Sequence, residues 1–344
     1  MATVRELFFY VSGEHETLPY AEIKAILEAD SFSCRNTIFL PRVLCVESNV
    51  KCLSSVADRS SFTKACGIVI LRCGAYKEVI LRTIKEVDYS NFITKRQTFS
   101  VDIKTIARPK IDTKLESAIG RVISRKIQGV KVKLKDPDVS FFGIVSHDIF
   151  VLGQKIFEPP RAFLKRKMSS RPFTHPSAMT PKLARVIVNL ARTKTENLVL
   201  DPFCGTGSIL VEAGSIGCRI LGSDISSEML KGTKRNLRYF GILWEGLVTS
   251  EARHLPFANI SHIVTDPPYG RASSTRGIST KKIVSDFLAE ALEILPIGGY
   301  ISIVLPNTLK VGEISKDLGY VNVESHLVRE HKSLTRKISV IRKP

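Results

Sequence analysis

The residues best suited to chemistry lie in the C-terminal half. The apolar run His262-Ile263-Val264-Thr265 has the character of a short strand and is followed at once by Asp266-Pro267-Pro268-Tyr269. Two prolines hold the backbone rigid, so the Asp266 carboxylate and the Pro267 carbonyl can accept hydrogen bonds from one amino group, while Tyr269 stacks on the ring that carries it. An aromatic amine needs such help, because its nitrogen lone pair is delocalised into the ring. Two acceptors aimed at the NH2 favour a more tetrahedral nitrogen whose lone pair can point at an electrophilic carbon, and proximity supplies much of the rest. A tetrapeptide of this composition can also be an ordinary turn. Its place at a strand end, in a segment that also carries a ligand loop, argues for catalysis.

That loop is Asp201-Pro202-Phe203-Cys204-Gly205-Thr206-Gly207-Ser208, which follows the apolar run 197–200 and precedes a helical segment over 209–216. Glycine lets the backbone approach a ligand closely, and Asp201 with the N–H groups of the helix start offers polar contacts. A second strand, over 218–223, ends in Asp224, 23 residues beyond Asp201. An acid at this distance can accept hydrogen bonds from both hydroxyls of a cofactor ribose. Alternatively, it caps the helix that begins near Ser226. Its pairing with the glycine turn favours the ribose. The dinucleotide fingerprint is nevertheless incomplete, because Leu210 stands where the third glycine would be, and the Gly-x-x-x-x-Gly-Lys phosphate loop is absent. Hydride transfer and nucleotide hydrolysis both lose ground.

Such loops need a parallel sheet to position them. From residue 181 onward, helices alternate with short apolar runs at 198–200, 219–222, 246–249, 262–265 and 300–305, the pattern of strands joined by crossover helices. The runs 321–328 and 336–341 suggest a closing antiparallel hairpin. Upstream, residues 1–73 read as a small α+β domain of ferredoxin-like character, with a strand over 7–11 and an amphipathic helix over 20–29. Residues 74–157 form a second α+β stretch. It holds a basic strand over 95–104 that starts with Lys95 and Arg96, a helix over 113–127 stopped at Gly129, and alternating residues over 130–135. A strand over 130–135 places Lys131, Lys133 and Lys135 on one face before Asp136-Pro137-Asp138 breaks it. Residues 158–180 read as a Pro-rich basic linker carrying Arg161, Lys165, Arg166, Lys167 and Arg171, and residues 181–344 as the catalytic domain.

Length and charge agree with this division. A chain of 344 residues exceeds one ordinary core, and 51 Lys and Arg against 33 Asp and Glu give a formal charge of +18. A surplus of that size calls for a polyanionic partner, although general surface enrichment would also produce it. The seven cysteines form no Cys-x-x-Cys pair, so neither a disulfide framework nor a metal site is expected. No apolar stretch approaches membrane-spanning length, and the chain reads as a cytoplasmic protein.

On these motifs, the segment from about Phe173 to the C-terminus resembles a class I, Rossmann-like methyltransferase with a mostly parallel seven-stranded sheet. The upstream part, ending in the Lys-rich run and Asp136-Pro137-Asp138, is similar to a THUMP domain, an RNA-binding module. The whole chain resembles the archaeal and eukaryotic tRNA guanosine-N2-methyltransferases that act on the position-10 guanosine. That resemblance implies S-adenosylmethionine as cofactor and tRNA as partner, with a small zinc-binding activator protein in eukaryotic and some archaeal relatives. It implies cofactor contacts from Asp201, Pro202, Cys204, Gly205, Thr206 and Gly207, from Asp224 and Ile225, and from the pair Glu251-Ala252, where many relatives carry Asp-Ala. It also implies that the segment holding Phe173, His175, Met179 and Thr180 closes over the methionine end of the cofactor. The basic loop with Arg271 and Arg276 follows the catalytic motif and suits a flipped-out nucleotide. A position-6 guanosine, a DNA amino group, or RNA binding without catalysis are the competing readings.

Overall fold

The structure is a computed structural model that describes residues 3–106, 114–159, 162–269, 279–331 and 334–344. Arg161, Arg271 and Arg276 lie outside the described residues. The first half of the chain runs β1 (Val4–Val11), α1 (Leu18–Ala29), β2 (Arg35–Leu40), β3 (Val43–Asn49), α2 (Cys52–Arg59), β4 (Thr63–Gly74), α3 (Lys77–Glu86), β5 (Thr98–Thr105), α4 (Leu115–Lys126), β6 (Lys131–Val132), β7 (Val139–Ser146) and β8 (Ile149–Phe157). The second runs α5 (Pro181–Leu190), β9 (Leu198–Asp201), α6 (Ser208–Gly214), β10 (Arg219–Asp224), α7 (Ser227–Tyr239), β11 (Gly246–Thr249), β12 (His262–Thr265), α8 (Thr280–Ile294), β13 (Tyr300–Pro306), α9 (Val311–Asp317), β14 (Val321–His331) and β15 (Leu334–Arg342).

The chain divides into two compact units, one of residues 1–20, 31–58 and 62–160, the other of residues 21–30, 59–61 and 161–344. In the first, the described strands form one eight-stranded sheet in the order β2-β3-β1-β4-β8-β7-β5-β6. Both upstream α+β stretches contribute to it, because the long strand β4 pairs with β1 on one side and β8 on the other. The aliphatic residues Ile80 and Ile84 of α3 and Ile119 and Ile123 of α4 recur at helical spacing and cover Phe99, Phe141 and Phe150 on one face. Gly129 has φ +82°, as the stop after α4 requires.

Two expectations fail in this unit. Lys95 and Arg96 precede β5 in an exposed turn, where Arg96 has φ +71° and the Gln97 side chain accepts from the Thr94 N–H. The alternation over 130–135 yields only the short β6, and Val132 and Leu134 are exposed although they occupy its apolar phase. Pairing decides the matter, since β6 meets β5 only at Lys131 and Val132 and, among the described residues, no layer covers its apolar side chains. Lys131, Lys133 and Lys135 are exposed, but on a bend rather than a continuous strand face.

The second unit holds a seven-stranded sheet ordered β11-β10-β9-β12-β13-β15-β14. The pairs from β11 to β13 are parallel, whereas β15 runs antiparallel to both β13 and β14, as the closing hairpin predicts. Its core gathers Leu200, Ile263, Phe287, Leu288, Ile301 and Ile341. From residue 161 onward, the stretch read as a linker belongs to this unit. Arg166 Nε donates to Glu212 Oε1 at 2.6 Å, and Arg185 approaches Glu212 Oε2 at 2.8 Å. Arg171 donates to the Ser208 hydroxyl at 2.6 Å. Arg166 and Arg171 were expected to face RNA. They instead point inward: Arg166 pairs with the buried Glu212, and the buried Arg171 donates to Ser208 and to the Arg166 carbonyl.

Candidate active site

The site forms where strand order reverses. After β9 the chain passes to β10 on one side, and β12 lies on the other, so the carboxyl ends of β9 and β12 flank a crevice of the kind in which α/β sheets bind ligands. At the end of β9 the Asp201 carboxyl is fully buried and accepts from the Thr265 hydroxyl at 2.8 Å and from the Phe203 N–H at 3.2 Å. The Thr265 bond ties the last residue of β12 to the last residue of β9. Burial pushes Asp201 up to about 8, and the nearby Asp224 and Asp266 act in the same direction.

The glycine turn is braced from behind. Gly207 has φ +79°, and a Cβ there would stand 2.9 Å from Thr233 Cγ2. Thr233 donates to the Gly205 carbonyl at 2.6 Å, and the buried Asn236 amide donates to the Thr206 carbonyl at 2.9 Å. Cys204 contributes through its backbone, donating to Ser223 O and accepting from Gly207 N, while its side chain is buried and its thiol is raised well above the usual range. Pro202 and Thr206 are buried as well. Asp224, at the end of β10, accepts from Gly205 N and from Ser226 N, each at 2.9 Å. It thus orders the turn, and its half-buried carboxylate keeps lone pairs for ribose hydroxyls. Ile225 beside it is 40% exposed and offers an apolar contact.

Asn236 also holds the segment that precedes α5. It accepts from Phe173 N at 3.0 Å and donates to Phe173 O at 2.9 Å. The Phe173 ring sits where a Cβ on Gly232 would be, so only glycine at that place in α7 admits it. The segment is therefore fastened to the glycine turn through one amide. His175 is engaged locally, its Nδ1 lying 2.7 Å from the Ser177 hydroxyl, and Thr180 is exposed just before Pro181. Glu251 holds Arg253 at 2.6 Å, and the Ala252 side chain lies in the core.

At the end of β12, Pro267 is buried, and Asp266, Pro268 and Tyr269 are half-buried, with Tyr269 packed on the edge of the core. Arg336 of β15 donates to Asp266 Oδ2 at 3.2 Å, and its guanidinium lies over the Tyr269 ring. Sequence reading missed Arg336, Thr233, Asn236 and Glu212. The last three stand in helical patterns that mark them only as polar residues. Arg336 sits 70 residues from Asp266, in a strand whose alternation signals pairing and nothing more.

A switch-point crevice, a braced glycine turn, an acid on the next strand and a D-P-P-Y turn facing them define a class I methyltransferase of the amino-methylating type. The family described as RMKL-like, methyltransferase domain, matches residues 169–337. A second, described as DNA methylase, matches residues 86–235, a range that ends before the D-P-P-Y turn. The tRNA (guanine(10)-N2)-dimethyltransferase of Methanothermobacter thermautotrophicus is 34% identical over 98% of this chain and 99% of its own. The Pyrococcus abyssi protein of the same name is 30% identical over 95% of this chain and 97% of its own. The chain belongs to the tRNA (guanine(10)-N2)-dimethyltransferase family. The crystal structure of TrmN from Thermus thermophilus matches with a TM-score of 0.55 at 20% identity, covering 99% of this chain and 100% of that one, a likeness of fold. The cofactor is S-adenosylmethionine.

Proposed function

We propose that the chain transfers methyl groups to the exocyclic N2 amino group of a guanosine in tRNA, at position 10, adding one and then a second. The observation that carries this reading is the D-P-P-Y turn, fastened by Thr265 to the end of β9 in a chain of this family. S-adenosylmethionine supplies the electrophilic methyl. Asp224 would hold the ribose, and the glycine turn would let the cofactor lie against the backbone. Asp266 and the Pro267 carbonyl would accept the two N–H bonds of the amino group, and Tyr269 would stack on the base. Each transfer releases one proton from the nitrogen, for which the Asp266 carboxylate would be the nearest base, and the one N–H that then remains would donate to a single acceptor and orient the nitrogen for a second transfer.

The division into residues 1–73, a THUMP domain over 74–157, a linker over 158–180 and a catalytic domain over 181–344 belongs to this proposal. RNA contact from Lys95, Arg96, Lys131, Lys133, Lys135, Lys165 and Lys167 is supported by their exposure. Action in the cytoplasm is proposed too; among the described residues no helix is long and apolar enough to cross a membrane.

The test is incubation of the purified chain with unmodified tRNA and labelled S-adenosylmethionine, followed by mass spectrometry of the modified nucleotide. N2-methylguanosine and N2,N2-dimethylguanosine at position 10 are expected; label at position 6 or in duplex DNA would replace this reading. Asp266→Ala should lose on the order of 10²- to 10³-fold in rate while retaining cofactor binding by calorimetry. Assaying the chain alone and with added activator decides whether it needs that protein.

A further inference from the structure

The function proposed above makes no use of β15, yet one of its side chains reaches both groups on which base recognition depends. Arg336 Nη1 donates to Asp266 Oδ2 at 3.2 Å, and the guanidinium carbon stands 5.6 Å from the centre of the Tyr269 ring, over its face. The Arg336 side chain is 15% exposed and that of Asp266 17%, so the contact is made largely out of bulk water. There, a charge-assisted hydrogen bond and a cation on an aromatic face are both strengthened. The backbone at Arg336 is paired with Pro306 on one side and Val328 on the other. The strand is held in place, and the long side chain is the part that can move.

The N1–C2–N3 edge of guanine, with its exocyclic amino group, is itself a guanidine fragment: three nitrogens on one planar carbon. A guanine seated as proposed stacks on Tyr269 and donates an N–H to Asp266. Arg336 makes both contacts with the same kind of fragment.

We propose that Arg336 is a positioning residue that stands in for the guanine edge, keeping Asp266 and Tyr269 in receptive geometry, and that the target nucleotide enters by displacing it. This rests on the guanine reading above. The exchange favours guanine, because among the four bases it alone offers an exocyclic amino group on a planar carbon bearing three nitrogens, the fragment that matches the guanidinium it replaces.

The experiment measures methyl transfer to unmodified tRNA by the full chain and by Arg336→Ala, with methylguanidinium chloride titrated at low millimolar concentration and matched urea and potassium chloride as controls. Without its tethered guanidinium, the pocket of Arg336→Ala should accept the free one. Inhibition competitive with tRNA and about ten-fold or more stronger in the variant than in the wild type is expected. Equal inhibition of both proteins, or of neither, overturns the proposal, and a purely structural role for Arg336 gives that result. Arg336→Lys keeps the cation and the strand but not the planar fork. It should respond as the alanine variant does, and it serves if that variant does not fold. Wild type that yields N2-methylguanosine without this difference overturns the present proposal alone; wild type that yields none overturns the guanine reading with it.

Discussion

The Asp201 carboxyl is 1% exposed, and burial raises it to about 8 against the hydrogen bonds from Thr265 and Phe203, which favour the charged form. In an unfolded chain it would titrate near pH ~4. Below that pH it is protonated in both states. Between there and about 8 the unfolded chain releases its proton while the folded chain keeps it, so stability falls as pH rises. Asp201→Asn keeps an acceptor for both donors and removes the titration. Denaturant unfolding across about pH 5 to 7 should then show a slope shallower by up to roughly one proton; an unchanged slope would mean that the folded carboxyl is ionised. Asp201, Asp224 and Asp266 were legible as functional candidates because each ends an apolar run. Arg336 was not, because what distinguishes it is a neighbour brought close by the sheet.

At the scale of elements, β9, the glycine turn and α6 act as one device, backed by Thr233 and Asn236 of α7. Gly207→Ala would place a Cβ 2.9 Å from Thr233 in a left-handed conformation. It is expected to cost about 1–3 kcal/mol of stability and to weaken cofactor binding, read by denaturant titration and calorimetry. Affinity and stability both at wild-type levels would contradict the bracing role. Five runs that the sequence marks as parallel strands match β9, β10, β11, β12 and β13, since apolar residues bounded by turns suffice to signal a buried strand. The run over 130–135 misled, because alternation describes what a strand could bury, and only a covering layer decides whether it does.

At the scale of the molecule, the formal charge of +18 favours a polyanion, and the exposed lysines of residues 131–135 are the part tested most directly. Changing Lys131, Lys133 and Lys135 together to Glu should weaken tRNA binding and lower the dependence of log K on log salt by about 2–3, measured by titration at several potassium chloride concentrations. An unaltered slope would place the RNA elsewhere. Charge alone does not show that Arg166 pairs with the buried Glu212 or that Arg171 turns inward to Ser208. By itself the sequence determined the class of sheet and marked the glycine turn and the D-P-P-Y turn as the candidate cofactor and amine sites, because each is written in contiguous residues whose local geometry their own types impose. Only the tertiary structure decided which cations face inward, that both upstream stretches share one sheet, and that Arg336 meets Asp266 and Tyr269. Those outcomes depend on burial and on pairing between segments far apart in the chain, and neither is encoded at any one position.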